Sequence, residues 1–245
     1  MKKIASFVLA LCIWPISLVA SGGETHWDYS GEDGPQNWGG LSEEFDICER
    51  GKNQSPINLV EVFDAELPEL RFDYKTLGGL AEVNTGHAIQ ENVTPGNFIV
   101  VKEKQFELKQ FHFHSPSEHT VNGNYSPMEV HMVHQNSDGE YLVVGLLFEE
   151  GDSNDLMNEL PSFRAMRGED PATSSVDYNE LILERTSYFL YNGSLTTPPC
   201  TEGVIWVVMK KPVIASPEQI QHYYDLLGFD NNRPVQPQNA RIIVD

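Results

Sequence analysis

The sequence is short of positive charge. Only 16 lysines and arginines stand against 36 aspartates and glutamates, and the formal net charge is −20. A surface that acidic repels the phosphates of nucleic acid and the headgroups of anionic lipid, and argues against both as partners. Low-complexity tracts, internal repeats and Gly/Ser/Pro-rich linkers are all missing, which favours one domain. Long apolar runs are missing too, apart from one at the start, Ile4 to Val19, which Pro15 interrupts. That run is short for a membrane span, and no basic cluster follows it. Lys2 and Lys3 precede it and Ala20, Ser21 and Gly22 follow, the layout of a secretory signal peptide over residues 1–20 with cleavage near 20–22. A buried N-terminal helix is the alternative. A lipoprotein anchor would need a small residue before Cys12, where Leu11 stands. Loss of Lys2 and Lys3 would take the net charge to −22.

Cysteine is equally scarce, and Cys12 leaves with the leader. Cys48 and Cys200 remain, an even pair in an oxidising compartment. A disulfide is the natural reading, with two buried thiols as the alternative. The expected location is periplasmic or secreted.

What the chain does have is globular composition, 40% hydrophobic and 10% aromatic, written mostly as strands. Gln105–His114 alternates, which puts Phe106, Leu108, Gln110, His112 and His114 on one face and Phe111 and Phe113 on the other. Met128–Gln135 alternates with Glu129, His131 and Val133 on one face and Val130, Met132 and His134 on the other. Tyr141–Phe148 and Gly203–Met209 are nearly continuous apolar runs, the pattern of strands buried on both sides. One helix is marked by Ser216 as N-cap, Pro217 at its first position, Gln219 at the third, and Gly228 as its stop. A weaker helix is expected over Asn154–Leu160.

Three of these histidines suit a metal. His112 and His114, spaced by one residue on a strand, project side by side, and His131 on the next strand can supply a third imidazole. Three neutral histidines leave a fourth position open, the arrangement of a catalytic zinc site. Gln110 and Glu129 each sit two residues before a ligand on the same face, where they can accept its second N–H. A solvated strand face that happens to carry histidine is the competing reading. His119 and His134 are better read as hydrogen-bonded structural residues.

The segments "QFHFHSPSEHTVNG", "MEVHMVHQN", "SLTTPPCTEGVIWVV", "GKNQSPINL", "NTGHAIQ" and "NRPVQPQNARII" resemble the alpha-class carbonic anhydrases, in family order from about Trp27 to Val244. The resemblance implies a mainly β (α+β) single domain over residues 21–245, with a large twisted, mostly antiparallel sheet and short peripheral helices. It implies one zinc on His112, His114 and His131, and reversible hydration of carbon dioxide to bicarbonate and a proton by zinc-bound hydroxide. Glu118 would hold the Thr196 hydroxyl as an acceptor toward that hydroxide. Val133, Val143, Leu195, Val204 and Trp206 would form the apolar substrate wall, and Thr197 would touch substrate or bicarbonate. His87 would shuttle the proton through water organised by Tyr29, Asn84 and Gln90. Cys48 and Cys200 would form the family's disulfide. Bacterial relatives are often dimers, and a homodimer is expected on that ground alone. Hydrolysis of activated esters at the same zinc is the alternative activity. A binding module without catalysis fits less well because all three ligands, Glu118, Thr196 and His87 are present, and a zinc buffer because the three-histidine site is buried beside an apolar wall.

Overall fold

The apolar runs pair into one nine-stranded sheet in the computed structural model, which describes residues 25–60, 63–75, 77–78, 81–182 and 186–245. The leader expected at 1–20 lies outside the described residues. The strands are β1 (Leu70–Asp73), β2 (Ala81–Asn84), β3 (Ile89–Asn92), β4 (Phe98–Val101), β5 (Lys104–His114), β6 (Glu129–Gln135), β7 (Tyr141–Glu150), β8 (Tyr188–Ser194) and β9 (Glu202–Ala215). Their order is β8-β9-β7-β6-β5-β3-β2; β4 takes the N-terminal half of the β5 edge that β3 leaves free, and carries β1. Every pairing is antiparallel except β7 with β9. The large, mostly antiparallel sheet with short helices around it is therefore present.

The sheet is apolar on both faces at its centre, as the continuous runs predict. Leu142, Val144, Leu146 and Phe148 of β7, with Val207 and Met209 of β9, enter a large core that also holds Val130 and Met132. Val143, Val204, Trp206 and Val208 enter a smaller cluster on the opposite face, with Val133 of β6. Each such side chain contributes about 1.5–3 kcal/mol on burial. The helix Pro217–Leu227 covers the large core. Its Ser216–Gln219 capping box and the left-handed Gly228 (φ 80°) begin and end it where the sequence indicates. Tyr223 packs its ring 4.2 Å from that of Phe113. The weaker helix is one turn, Asp155–Asn158, capped by the Asn154 side chain, and Pro161 then starts a second, Pro161–Met166.

The alternation expected through Gln105–His114 is broken. Gln110 lies opposite Val133 and Leu108 opposite His134, so Lys109 has no partner on β6 and forms a bulge. One extra residue reverses which face every later side chain takes. Phe106 and Leu108 therefore join Phe111 and Phe113 in the large core, and do not share the face of Gln110, His112 and His114. The pattern of residue types misleads here because two polar residues, Lys109 and Gln110, meet at the bulge and hide the change of phase.

Cys48 and Cys200 form a disulfide (S–S 2.08 Å), which ties the turn of helix Ile47–Arg50 to the loop between β8 and β9. No helix among the described residues is long and apolar enough to cross a membrane.

Candidate metal centre

Antiparallel pairing of β5 with β6 sets His112 opposite His131 and His114 opposite Glu129. The three imidazole rings lie 4.5 to 5.4 Å apart, centre to centre. One nitrogen of each falls within 4.8 Å of the other two. The remaining nitrogens are taken by acceptors. His112 Nδ1 donates to Gln110 Oε1 (2.8 Å), His114 Nδ1 to the carbonyl of Asn231 (2.7 Å) and His131 Nε2 to Glu129 Oε1 (2.9 Å). A carbonyl or carboxylate is met only by N–H, so in each neutral ring the other nitrogen is a bare lone pair. The converging atoms are thus Nε2, Nε2 and Nδ1. His114 Nε2 is buried with no hydrogen-bond partner, a costly state that a cation relieves. Burial pushes His114 down to about 4, and burial with neighbouring rings holds His112 and His131 below the usual histidine range. Neutral rings are the form that binds metal, and three imidazole nitrogens are a donor set that zinc accepts.

Behind the ligands lies a fully buried relay. Glu129 Oε1 also takes His119 Nδ1 (2.7 Å), and its Oε2 accepts the backbone N–H groups of Glu118 and His119. Burial alone would raise Glu129, but His119 and His131 hold it well below the usual carboxylate range. His119 Nε2 bonds the Tyr191 hydroxyl, which bonds Ser55 Oγ. His134 is fixed by Tyr74 Oη and the Leu142 carbonyl. Both histidines are thus held by hydrogen bonds; His119 also stands with Glu129 and His131 in a second group close enough for a metal. Gly145, opposite His131 on β7, keeps this layer open: a Cβ there would stand 3.0 Å from Glu129 Oε1.

Glu118 follows β5 and has no exposed surface. Its Oε1 accepts the Arg233 backbone N–H (2.8 Å), and its Oε2 stands 3.6 Å from His114 Nε2 and 3.7 Å from His131 Nδ1. Burial raises this carboxyl to about 7; His131, the Arg233 N–H and the nearby Thr196 hydroxyl oppose the rise. That hydroxyl is near enough to act on the carboxyl, yet Oε2 lacks a partner in full hydrogen-bond geometry. Thr196 is buried in the turn after β8, which Leu195 N to Thr201 O and Cys200 N to Thr197 O close.

Val133, Val143 and Trp206 are neighbours across β6, β7 and β9, and Val204 joins them in the smaller cluster, with Leu195 packed against it. Trp206 sits 4.8 Å from the His131 ring. The structure therefore brings the expected wall to the edge of the histidines, while Thr197 is half-buried in the adjoining turn.

The expected proton path is gathered only in part. His87 lies in the β2–β3 hairpin turn, stacked on Trp27 (3.7 Å) with Nε2 donating to the Trp27 carbonyl. Tyr29 lies beside both rings with a buried, unpartnered hydroxyl. Gln90 is opposite His112 on the site face, and its amide bonds Asn92. Asn84 lies at the start of the same turn, where its Oδ1 accepts Gly86 N–H.

Sequence reading missed two residues. Asn231 supplies the carbonyl for His114, and its amide donates to the carbonyls of His87 and Phe113. Arg233 is a buried guanidinium that donates to the carbonyls of Cys48 and Ser55 and to Gln54, over the Trp38 ring. It connects the disulfide to Glu118 by way of its own backbone. Arg233 lies in the segment "NRPVQPQNARII" and Asn231 just before it, a stretch with no strand or helix period.

A nine-stranded sheet with three histidines on its β5–β6 pair makes a scaffold able to hold a metal ion, and comparison with known proteins gives its family. The family profile described as eukaryotic-type carbonic anhydrase matches residues 33–245. The carbonic anhydrase of Neisseria gonorrhoeae is 41% identical over 241 residues, 97% of this chain and 95% of that one. The alpha-carbonic anhydrase of Thermovibrio ammonificans, solved with the inhibitor sulfanilamide, superposes with a TM-score of 0.83 at 44% identity, covering 91% of this chain and all of that one. Dioscorin, solved with ascorbate, gives a TM-score of 0.80 at 33% identity over 89% of this chain and 97% of that one. The chain belongs to the alpha carbonic anhydrases and is an enzyme of that family, with carbon dioxide and bicarbonate as its small-molecule substrates.

Proposed function

We propose that His112, His114 and His131 hold one zinc ion per chain and that the protein hydrates carbon dioxide reversibly to bicarbonate and a proton. The observation that carries this is the set of three bare imidazole nitrogens, one of them a buried orphan, beside an apolar wall. Zinc bound there supplies a Lewis acid that makes water acidic enough to react near neutrality. The chain does the rest. Gln110, the Asn231 carbonyl and Glu129 fix each ring's tautomer. The Glu118 carboxyl accepts a hydrogen bond from the Thr196 O–H, so the threonine oxygen faces the reacting water as an acceptor and aims it. Val133, Val143, Leu195, Val204 and Trp206 give an apolar substrate a place to sit without competing hydrogen bonds, and Thr197 holds the bicarbonate product. The disulfide supports an exported protein, with a leader at 1–20 and the catalytic domain at 21–245, in the periplasm or outside the cell.

Stopped-flow hydration of carbon dioxide tests the reading. Hydration is expected from the zinc-loaded protein, is lost on chelation and returns when zinc is restored. A metal-free preparation that keeps its full rate would overturn it.

His87 is the proton acceptor in this scheme. Proton release and hydration are separate steps, and His87 touches none of the hydration machinery. His87→Ala should therefore lower kcat by about tenfold or more and leave kcat/KM nearly unchanged. Small imidazole buffers should restore much of the loss. Equal falls in both parameters, without rescue, would make His87 a structural residue that holds Trp27.

A further inference from the structure

Strand β3 carries a carboxyl group on the face away from the histidines. Gln90 lies opposite His112, but Glu91 lies opposite Phe111 and points with it into the large core. Glu91 has no exposed surface, and neither of its oxygens meets a hydrogen-bond partner. Directly across the β2–β3 pair stands Glu82, whose Oε2 accepts the N–H of Ser162 from helix Pro161–Met166. The hydroxyls of Ser162, Tyr178 and Tyr223 and the Nε2 of His222 are also buried without partners. Tyr178 and Tyr223 are held above the usual phenol range, first by burial and then by Glu91; His222 is lowered by burial and drawn back up by Glu82.

Two carboxylates cannot face each other in such a place. A buried charge without donors costs several kcal/mol, and among the described residues the charge that acts on Glu91 is that of Glu82, of the same sign. A metal does not answer the need either. The groups of described residues that converge closely enough for one are both histidine clusters around His131, and Glu82, Glu91 and His222 are not among them.

We propose that Glu91 is a proton-binding site, separate from the metal centre, which stays protonated and donates its O–H to Glu82 so that the two carboxyls hold one proton across the β2–β3 hairpin. Burial first, and Glu82 second, push Glu91 up to about 10. The proton fastens the hairpin that carries His87 to helix Pro161–Met166 through Ser162, and keeps two negative charges out of the core under helix Pro217–Leu227. In the unfolded chain Glu91 titrates as an ordinary carboxyl. Between that range and about pH 10 the folded state binds one proton more than the unfolded state, so stability falls as pH rises through the window. The pair sets an alkaline limit on the fold, whatever the activity of the histidine site.

Glu91→Gln tests this, because the amide keeps a donor for Glu82 and cannot lose a proton. Urea unfolding of wild type and variant is compared from about pH 5.5 to about pH 9. The ratio of the variant's folding constant to that of the wild type is expected to rise about tenfold per pH unit, one proton's worth. Parallel stability curves would overturn the proposal. Should the variant fail to fold, the wild type alone decides it. At about pH 9, above the range of Glu118, its infrared spectrum should still show the C=O stretch of a protonated carboxyl. Absence of that band would equally overturn the proposal. Neither readout involves carbon dioxide, so both stand apart from the proposed activity.

Discussion

His114→Ala is expected to release the metal and abolish hydration together. His114 is 1% exposed, its Nδ1 is locked on the Asn231 carbonyl, and its Nε2 has no partner but the site itself. Losing a residue that merely supports a metal ligand costs about 10–100-fold in affinity, and losing a ligand costs more. Zinc content should fall from about one per chain to a small fraction, with activity below detection. Zinc analysis of the folded, dialysed variant is the measurement, with circular dichroism to show that the sheet survives. His112→Ala, at a half-buried ring whose loss disturbs the core less, should behave the same way. Full zinc occupancy in either variant would remove that residue from the ligand set.

Thr196→Ala separates aiming from binding. The hydroxyl acts on the Glu118 carboxyl, which the Arg233 N–H holds by Oε1. Zinc should stay at one per chain. Hydration should fall about 10²-fold, the scale found when one positioned hydrogen-bonding group is lost from an active site. Thr196→Ser, which restores the oxygen, should recover most of the loss. A Thr196→Ala enzyme working at the wild-type rate would dissolve the pairing with Glu118, and one that lost zinc would make the turn part of the metal's support.

The residues most legible in the sequence are those whose neighbours are close in sequence. His112 with Gln110, and His131 with Glu129, are i, i+2 pairs on strands, and period-2 alternation put each beside the other. The cysteine pair followed from compartment and parity. Asn231 was illegible because it offers His114 a backbone carbonyl, which no residue type encodes, from 117 positions away. Arg233 was hidden in the same way; its guanidinium finds carbonyls 178 and 185 positions back. Asn84 also caps its turn, as an asparagine two residues before an N–H commonly does. Nothing local to Glu91 announces that its opposite neighbour is also acidic.

The bulge at Lys109 works as a frame marker in the β5 segment. The strand delivers Phe106 and Leu108 to the core on one phase and its histidines to the site on the other, and a single unpaired residue separates the two readings. Pairing Lys109 into a regular ladder, with no bulge, would leave the sequence untouched and exchange the addresses. His112 and His114 would turn into the hydrocarbon, and Phe111 and Phe113 would fill the place meant for a metal. Register at this point is thus as tightly specified as identity at the ligands, and a graft of the "FHFHS" segment, which alternates regularly by itself, needs no bulge but must enter its new sheet on the matching phase.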